Sequence, residues 1–184
     1  MPSLNESSRV LLDAGAMTQA VQRMAREIAA RNPAGSDVVL VGIQTGGVHL
    51  ARQLADHLAT IWGSTVPVGQ LDISMHRDDL DQHLAPAVHP TAIPFDVAGK
   101  TVILVDDVLF SGRTTRAALD ALNDFGRPRR IQLAVLIDRG HREVPIGADF
   151  VGATLSTAAD DRVDVQWGGG AGTAKVVLEK APGQ

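Results

Sequence analysis

Three stretches of almost unbroken apolar, β-branched sequence constrain the fold of this chain more than anything else in it. They are Asp37 to Ile43 (DVVLVGI), Thr101 to Val105 (TVILV) and Ile131 to Ile137 (IQLAVLI). A strand with one face in water alternates apolar and polar residues, whereas a strand without alternation is covered on both faces. The first two stretches lead into apolar residues at helical spacing. Val48, Ala51, Leu54, Ala55 and Leu58 follow the first, and Ala117, Ala118, Ala121 and Leu122 follow the second. Strand, helix, strand, helix, strand, with strands buried on both sides, predicts an α/β fold built on a mostly parallel sheet. A length of 184 residues suits a single domain with a substantial core.

The flanking sequence is less regular. Residues 1–12 read as an arm or a short edge strand. Asp13 can cap a helix on which Met17, Val21, Met24 and Ile28 share a face, and Asn32-Pro33 with Gly35 stops it. Val66 to Ser74 reads as a further strand. Asp106-Asp107 closes the Thr101 strand, and Gly126 with Pro128 ends the helix after it. Short strands around Phe150, Arg162 to Gln166 and Lys175 to Leu178, with a turn at Gly168-Gly169-Gly170, suggest a small antiparallel addition. Residues 76–92 are polar and hold two prolines. A flexible loop of that length in a compact domain is either a lid or a surface insertion.

Composition excludes some chemistries. Without cysteine there is no disulfide, no thiolate zinc site and no cysteine nucleophile. A net charge of −4 argues against a general nucleic-acid binder, so any RNA binding needs a local basic patch. Arg23, Arg26 and Arg31 on the first helix, and Arg127, Arg129 and Arg130 after the third, are the candidates. The opening MPSLNESSRV lacks the apolar run of a signal peptide, and no stretch approaches the roughly 18 apolar residues of a membrane span. The expectation is a cytoplasmic protein without a membrane partner.

The chemistry concentrates in residues 102–115, Val-Ile-Leu-Val-Asp-Asp-Val-Leu-Phe-Ser-Gly-Arg-Thr-Thr. In open α/β sheets ligands bind at the carboxyl ends of the strands. Here a buried strand delivers two carboxylates, Asp106 and Asp107, to that edge. Val108, Leu109 and Phe110 then lead to Ser111, Gly112, Arg113, Thr114 and Thr115 at a helix start. Hydroxyls, a glycine that admits close backbone approach, and free helical amides favour an anion. Acidic acceptors a few residues earlier suit sugar hydroxyls or a cation. A ligand with a phosphate at one end and a diol nearby, such as a ribose 5-phosphate, satisfies both. The pattern is neither a P-loop nor a dinucleotide turn.

This segment resembles the phosphoribosyl pyrophosphate motif of the type I phosphoribosyltransferases. Val41 to Gly47 (VGIQTGG), Leu71 to Asp79 (LDISMHRDD), Asp124 to Pro128 (DFGRP) and Ile131 to Ile146 resemble, in order and spacing, one branch of that family. Its members regulate the pyrimidine operon and double as uracil phosphoribosyltransferases. The resemblance runs over roughly residues 12–180. It implies a type I phosphoribosyltransferase fold: a mostly parallel sheet flanked by helices, with a small hood of short strands. It implies transfer from phosphoribosyl pyrophosphate to uracil with Mg2+, giving UMP and pyrophosphate, coupled to regulation of pyrimidine genes through a leader mRNA. It also implies a homodimer or higher oligomer. The alternative is a UMP-responsive RNA-binding attenuation regulator with vestigial transferase activity.

By the same resemblance Asp106 and Asp107 would contact the ribose and, through it or through water, the metal. The Ser111–Thr115 turn would hold the 5-phosphate, and Thr45 and Gly46 the pyrophosphate. Arg77 would close over the pyrophosphate. Arg139 and the backbone near Val163 would frame the base, unless Arg139 is a structural partner of Asp138 or Glu143. Where the family often has Lys-Thr-Arg-Gly, this chain has Gln44-Thr45-Gly46-Gly47, which removes two positive charges.

Overall fold

The computed structural model describes residues 8–76 and 90–182. The expectations for Arg77, for the 77–89 part of the long loop and for the first seven residues lie outside the described residues. The elements are β1 (Ser8–Leu12), α1 (Ala14–Arg31), β2 (Val38–Ile43), α2 (Gly46–Trp62), β3 (Val68–Leu71), β4 (Thr101–Leu109), α3 (Arg113–Leu122), β5 (Arg130–Asp138), β6 (Phe150–Thr154), β7 (Arg162–Gln166) and β8 (Lys175–Glu179).

Five strands form the central sheet in the order β3-β2-β4-β5-β6, every neighbouring pair parallel. The missing alternation of β2, β4 and β5 now has its cause, because each face is covered. Ile103 and Val105 of β4 pack with Met24 and Ile28 of α1 and Leu50, Leu54 and Leu58 of α2. Val102 and Leu104 point the other way, into a second cluster with Ala118 and Leu122 of α3. Asp13 caps α1 as its position suggested, accepting a hydrogen bond from the Ala16 amide at 2.8 Å. Such a cap stabilises a helix by about 1 kcal/mol.

A separate antiparallel sheet, β1-β8-β7, forms the hood. Val176 of β8 joins the α1/α2 core, and Val163 and Val165 of β7 pack against it. Three boundaries differ from the sequence reading. The Phe150 strand is the edge of the central parallel sheet, with Phe150 paired to Ala134 and 1% exposed. A short edge strand has the same period whichever way it pairs, so its sequence does not show direction. β3 stops at Leu71, because Asp72 Oδ1 accepts from the Ser74 amide at 2.8 Å and turns the chain. β4 does not end at the two acids but runs on to Leu109, with Val108 and Leu109 held in register by Ile137 and Asp138.

Candidate active site

The carboxyl ends of β2, β4, β5 and β6 deliver four loops to one edge of the sheet. The first is Gln44–Gly47, where the Gln44–Thr45 peptide is cis and α2 begins directly at Gly46. Its glycines are demanded by β4 beneath. A side-chain carbon on Gly46 would collide with the Asp107 carboxylate, and one on Gly47 would collide with the Val105 carbonyl. Gly46 and Gly47 are therefore brought against Asp107 and Asp106, with Thr45 next to them in the chain. Gln44 Nε2 donates to the Pro90 carbonyl at 3.5 Å, and the Asp72 amide donates to Thr91 Oγ1 at 2.9 Å. The last residues of the long loop thus run beside the first loop.

The acids sit within β4. Asp106 is 8% exposed, and its Oδ1 accepts from the Asp107 amide at 2.8 Å. Asp107 Oδ1 accepts from the Val108 amide at the same distance. Burial pushes the Asp106 carboxyl well above the usual carboxylate range, and the Asp107 charge beside it adds to that.

The second loop is the hydroxyl turn. Gly112 has a φ of 88°, a left-handed conformation that glycine takes without strain, and α3 starts at Arg113. Ser111 Oγ accepts from the Arg113 amide at 3.3 Å, and the other first-turn amides have no helical carbonyl to serve them. Ser111 and Thr114 are half-buried at the opening, while Thr115 is 3% exposed and lies beneath it. The turn can cradle a phosphate.

The third loop, residues 139–146, locks onto the second, and the fourth, residues 155–161, locks onto the third. The amides of Glu143 and Val144 both donate to the Ser111 carbonyl, at 2.9 and 3.3 Å. The Arg139 guanidinium lies over the Phe110 ring at 4.2 Å, and His141 meets that ring edge-on at 5.6 Å. Arg139 is 6% exposed and pairs with neither Asp138 nor Glu143. It donates from Nε to Thr157 Oγ1 at 3.0 Å and from Nη2 to the carbonyls of Ala158 and Asp161, both at 2.8 Å. Burial draws its pKa below the ordinary guanidinium value, and Asp161 partly offsets this. Those bonds bring the Asp161 end of the strand carrying Val163 to the end of β5. Asp138, Gly140 to Arg142 and Thr154 to Thr157 line an open cavity of about 600 Å³.

Sequence reasoning gave no role to Thr157, Asp161 or Arg142, although Arg142 lies in the motif 138–146. Arg142 Nη2 reaches Asp138 Oδ2 at 2.7 Å, and Arg113 takes Glu143 at 2.6 Å. Among the described residues no three histidine or acidic side chains gather as a metal cage. Nor is any described helix long and apolar enough to cross a membrane.

Arg23, Arg26 and Arg31 are not part of this edge. They lie on α1 beside β6. Arg23 donates to the carbonyls of Val151 and Gly152 and pairs with Glu27 at 3.1 Å. Arg31 pairs with Asp149 at 3.5 Å and lies over the Phe150 ring. Arg23 and Arg26 line a groove of about 420 Å³ with Gln19, Gln22 and Gly152. Arg127, Arg129 and Arg130 lie at the amino-terminal end of β5, opposite the loops, and Arg129 donates to Thr101 Oγ1 at 3.2 Å.

Comparison with known proteins places this architecture. The family model described as a phosphoribosyl transferase domain matches residues 7–166. A protein named bifunctional protein PyrR from a Roseiflexus species is 59% identical over 154 residues, 83% of this chain and 84% of the relative. The Streptomyces coelicolor protein of the same name is 52% identical over 178 residues, 96% and 92% of the two chains. Among solved structures, the hypoxanthine phosphoribosyltransferase of Trypanosoma cruzi superposes with a TM-score of 0.73 over 97% of this chain and 95% of that one. At 17% identity that likeness speaks to the fold alone.

Proposed function

This chain belongs to the phosphoribosyl transferase family, and we propose that it transfers the phosphoribosyl group from phosphoribosyl pyrophosphate to uracil and regulates pyrimidine genes through RNA. The observation that carries the transferase reading is the contact between the Gly46 loop and Asp107, five residues before the left-handed Gly112 of the hydroxyl turn. Two neighbouring strand ends, of β2 and β4, thus offer an anion loop, a diol acceptor and a phosphate cradle side by side.

In the reaction the bond from the anomeric carbon to pyrophosphate breaks, the bond to N1 of uracil forms, and the N1 proton is released. Positive charge develops on the ribose, as in glycoside hydrolysis. Asp106 and Asp107 hold the ribose hydroxyls, and the Ser111–Thr115 turn holds the 5-phosphate, with Val108 to Phe110 supporting it. Thr45 and Gly46 take the pyrophosphate by backbone amides rather than by the charges this loop lacks. Arg77 adds a positive charge over that group, and Arg139 with the backbone near Val163 frames the base.

Asp106 and Asp107 would hold Mg2+ indirectly, through the ribose or water, and the ion would supply charge stabilisation to the leaving group. The whole chain then works as one transferase domain with its hood. Comparing UMP formation by the wild type and Asp107→Asn tests the reading. Turnover that falls in the variant supports it, and a wild type that neither turns over nor binds UMP refutes it.

RNA recognition rests on a different surface. Arg26 is exposed in the α1 groove and has no hydrogen bond or ion pair among the described residues, so it is available to an RNA phosphate. A homodimer would present two such grooves to a leader mRNA.

A further inference from the structure

Resting on the assignment of the base to the Arg139 side and the 5-phosphate to the hydroxyl turn, we infer that Arg142 is a positioning residue that fixes the separation of those two subsites. Its guanidinium joins both loops. Nη1 donates to the Phe110 carbonyl at 2.8 Å and to the Gly140 carbonyl at 3.4 Å. Nε donates to the Ile146 carbonyl at 2.8 Å, and Nη2 to Asp138 Oδ2 at 2.7 Å. Three acceptors are loop carbonyls that no strand partner satisfies, and the fourth is the carboxylate that ends β5.

The other links between the loops do not do the same work. The amides of Glu143 and Val144 hold the Ser111 carbonyl, the Arg139 amide donates to the Leu109 carbonyl at 3.1 Å, and Arg139 and His141 pack on the Phe110 ring, but none of these holds the Phe110 carbonyl. The Arg113–Glu143 pair faces solvent, with side chains 44% and 57% exposed, and such pairs contribute little. Arg142 and Asp138 are 23% and 21% exposed. Arg142 adds a further point, at the Phe110 carbonyl, in the residue before Ser111. A bond to the backbone beside Ser111 fixes the orientation of the turn as well as its distance. The planar fork of arginine reaches acceptors on both loops at once, which the single ammonium of lysine does not.

The consequence is thermodynamic. UMP spans both subsites, so its advantage over its fragments depends on the effective concentration one subsite imposes on the other. Loosening the tie lowers that advantage without altering either subsite, because Arg142 itself spends its donors on protein acceptors.

The test is calorimetric titration of UMP, uridine and ribose 5-phosphate into the wild type, Arg142→Gln and Arg142→Lys, with the melting temperature of each. UMP affinity falling at least about tenfold, with uridine and ribose 5-phosphate within about twofold of wild type, supports the inference. Parallel loss of the fragments, or unchanged UMP affinity, overturns it. If the glutamine variant does not fold, the lysine variant decides, since it retains the charge beside Asp138. A wild type that binds no UMP overturns the substrate assignment itself, a result distinct from a variant that binds UMP as well as wild type.

Discussion

Gly46 and Gly47 are neighbours in one loop, yet the structure predicts opposite consequences for replacing them with alanine. The added carbon at Gly46 meets the Asp107 carboxylate, a side chain that can rotate away. Rotation gives up the bond from the Val108 amide to Asp107 Oδ1 and withdraws that oxygen from the ribose. Hydrogen bonds to a charged group contribute about 1.5–3 kcal/mol. Lost from the transition state, that is roughly a ten- to hundredfold fall in kcat/KM. The fold loses less, because Asp107 is half-buried and water can take its place.

At Gly47 the added carbon meets the Val105 carbonyl, which is locked between β2 and β5 by its pairing with Gly42 and Ala134. Backbone fixed in a sheet does not give, so α2 must retreat, at about 1–3 kcal/mol of stability. For a chain of this length that is a fall of several degrees in melting temperature, about 2–4 °C per kcal/mol. Steady-state UMP formation and thermal unfolding of Gly46→Ala and Gly47→Ala check both halves. A Gly46→Ala enzyme with wild-type kcat/KM, or a Gly47→Ala protein as stable as wild type, refutes the reasoning.

Asp106→Asn should stabilise the unliganded protein increasingly as pH rises. A buried acid with a raised folded pKa contributes most below its unfolded value of about 3.9 and loses that contribution as pH climbs toward the folded value. The amide has no such dependence, so melting curves at pH 5 and pH 8 should diverge, and a constant difference would contradict the burial argument. Phe110→Ala removes the ring under the Arg139 guanidinium, worth about 0.5–2 kcal/mol. It should raise the KM for uracil more than it lowers kcat, and an equal change in both would count against a base-side role for Arg139. Arg26→Ala should weaken binding of a leader RNA and reduce the slope of log affinity against log salt by about one, leaving UMP formation intact. An unchanged slope would remove the α1 groove from the RNA surface.

The parts of the fold legible in the sequence were those with a local trace. β2, β4 and β5 announce themselves by apolar residues that serve both faces, and Asp13 by its place before a helical pattern. The acid pair and the hydroxyl turn were legible because one continuous segment carries both. Contacts between loops leave no such trace. Proximity in sequence suggested Asp138 or Glu143 as partners of Arg139. Asp138 instead meets Arg142, Glu143 meets Arg113, and Arg139 reaches across to residues 157–161. Adjacent side chains leave a strand on opposite sides, so the nearest opposite charge in sequence is often out of reach. Strand order was hidden for the same reason, and with it the placing of the Phe150 strand.

The hood pairs the first strand of the described chain with the last. Ser8 stands opposite Glu179, so its ladder closes a loop that contains the entire central sheet. During synthesis from the amino terminus, β2 to β6 can assemble around α1, α2 and α3 while β1 still waits for its neighbour. Among the described residues β7 also has its only ladder partner in β8. The hood strand carrying Val163 therefore gains its ladder only when β8 arrives, and a nascent chain short of Lys175 holds the acid pair and the hydroxyl turn without an assembled hood. Closing so long a loop also slows folding, since the entropy is lost before the contacts form. Ribosome-bound chains should acquire phosphate-side recognition before they acquire recognition of the base.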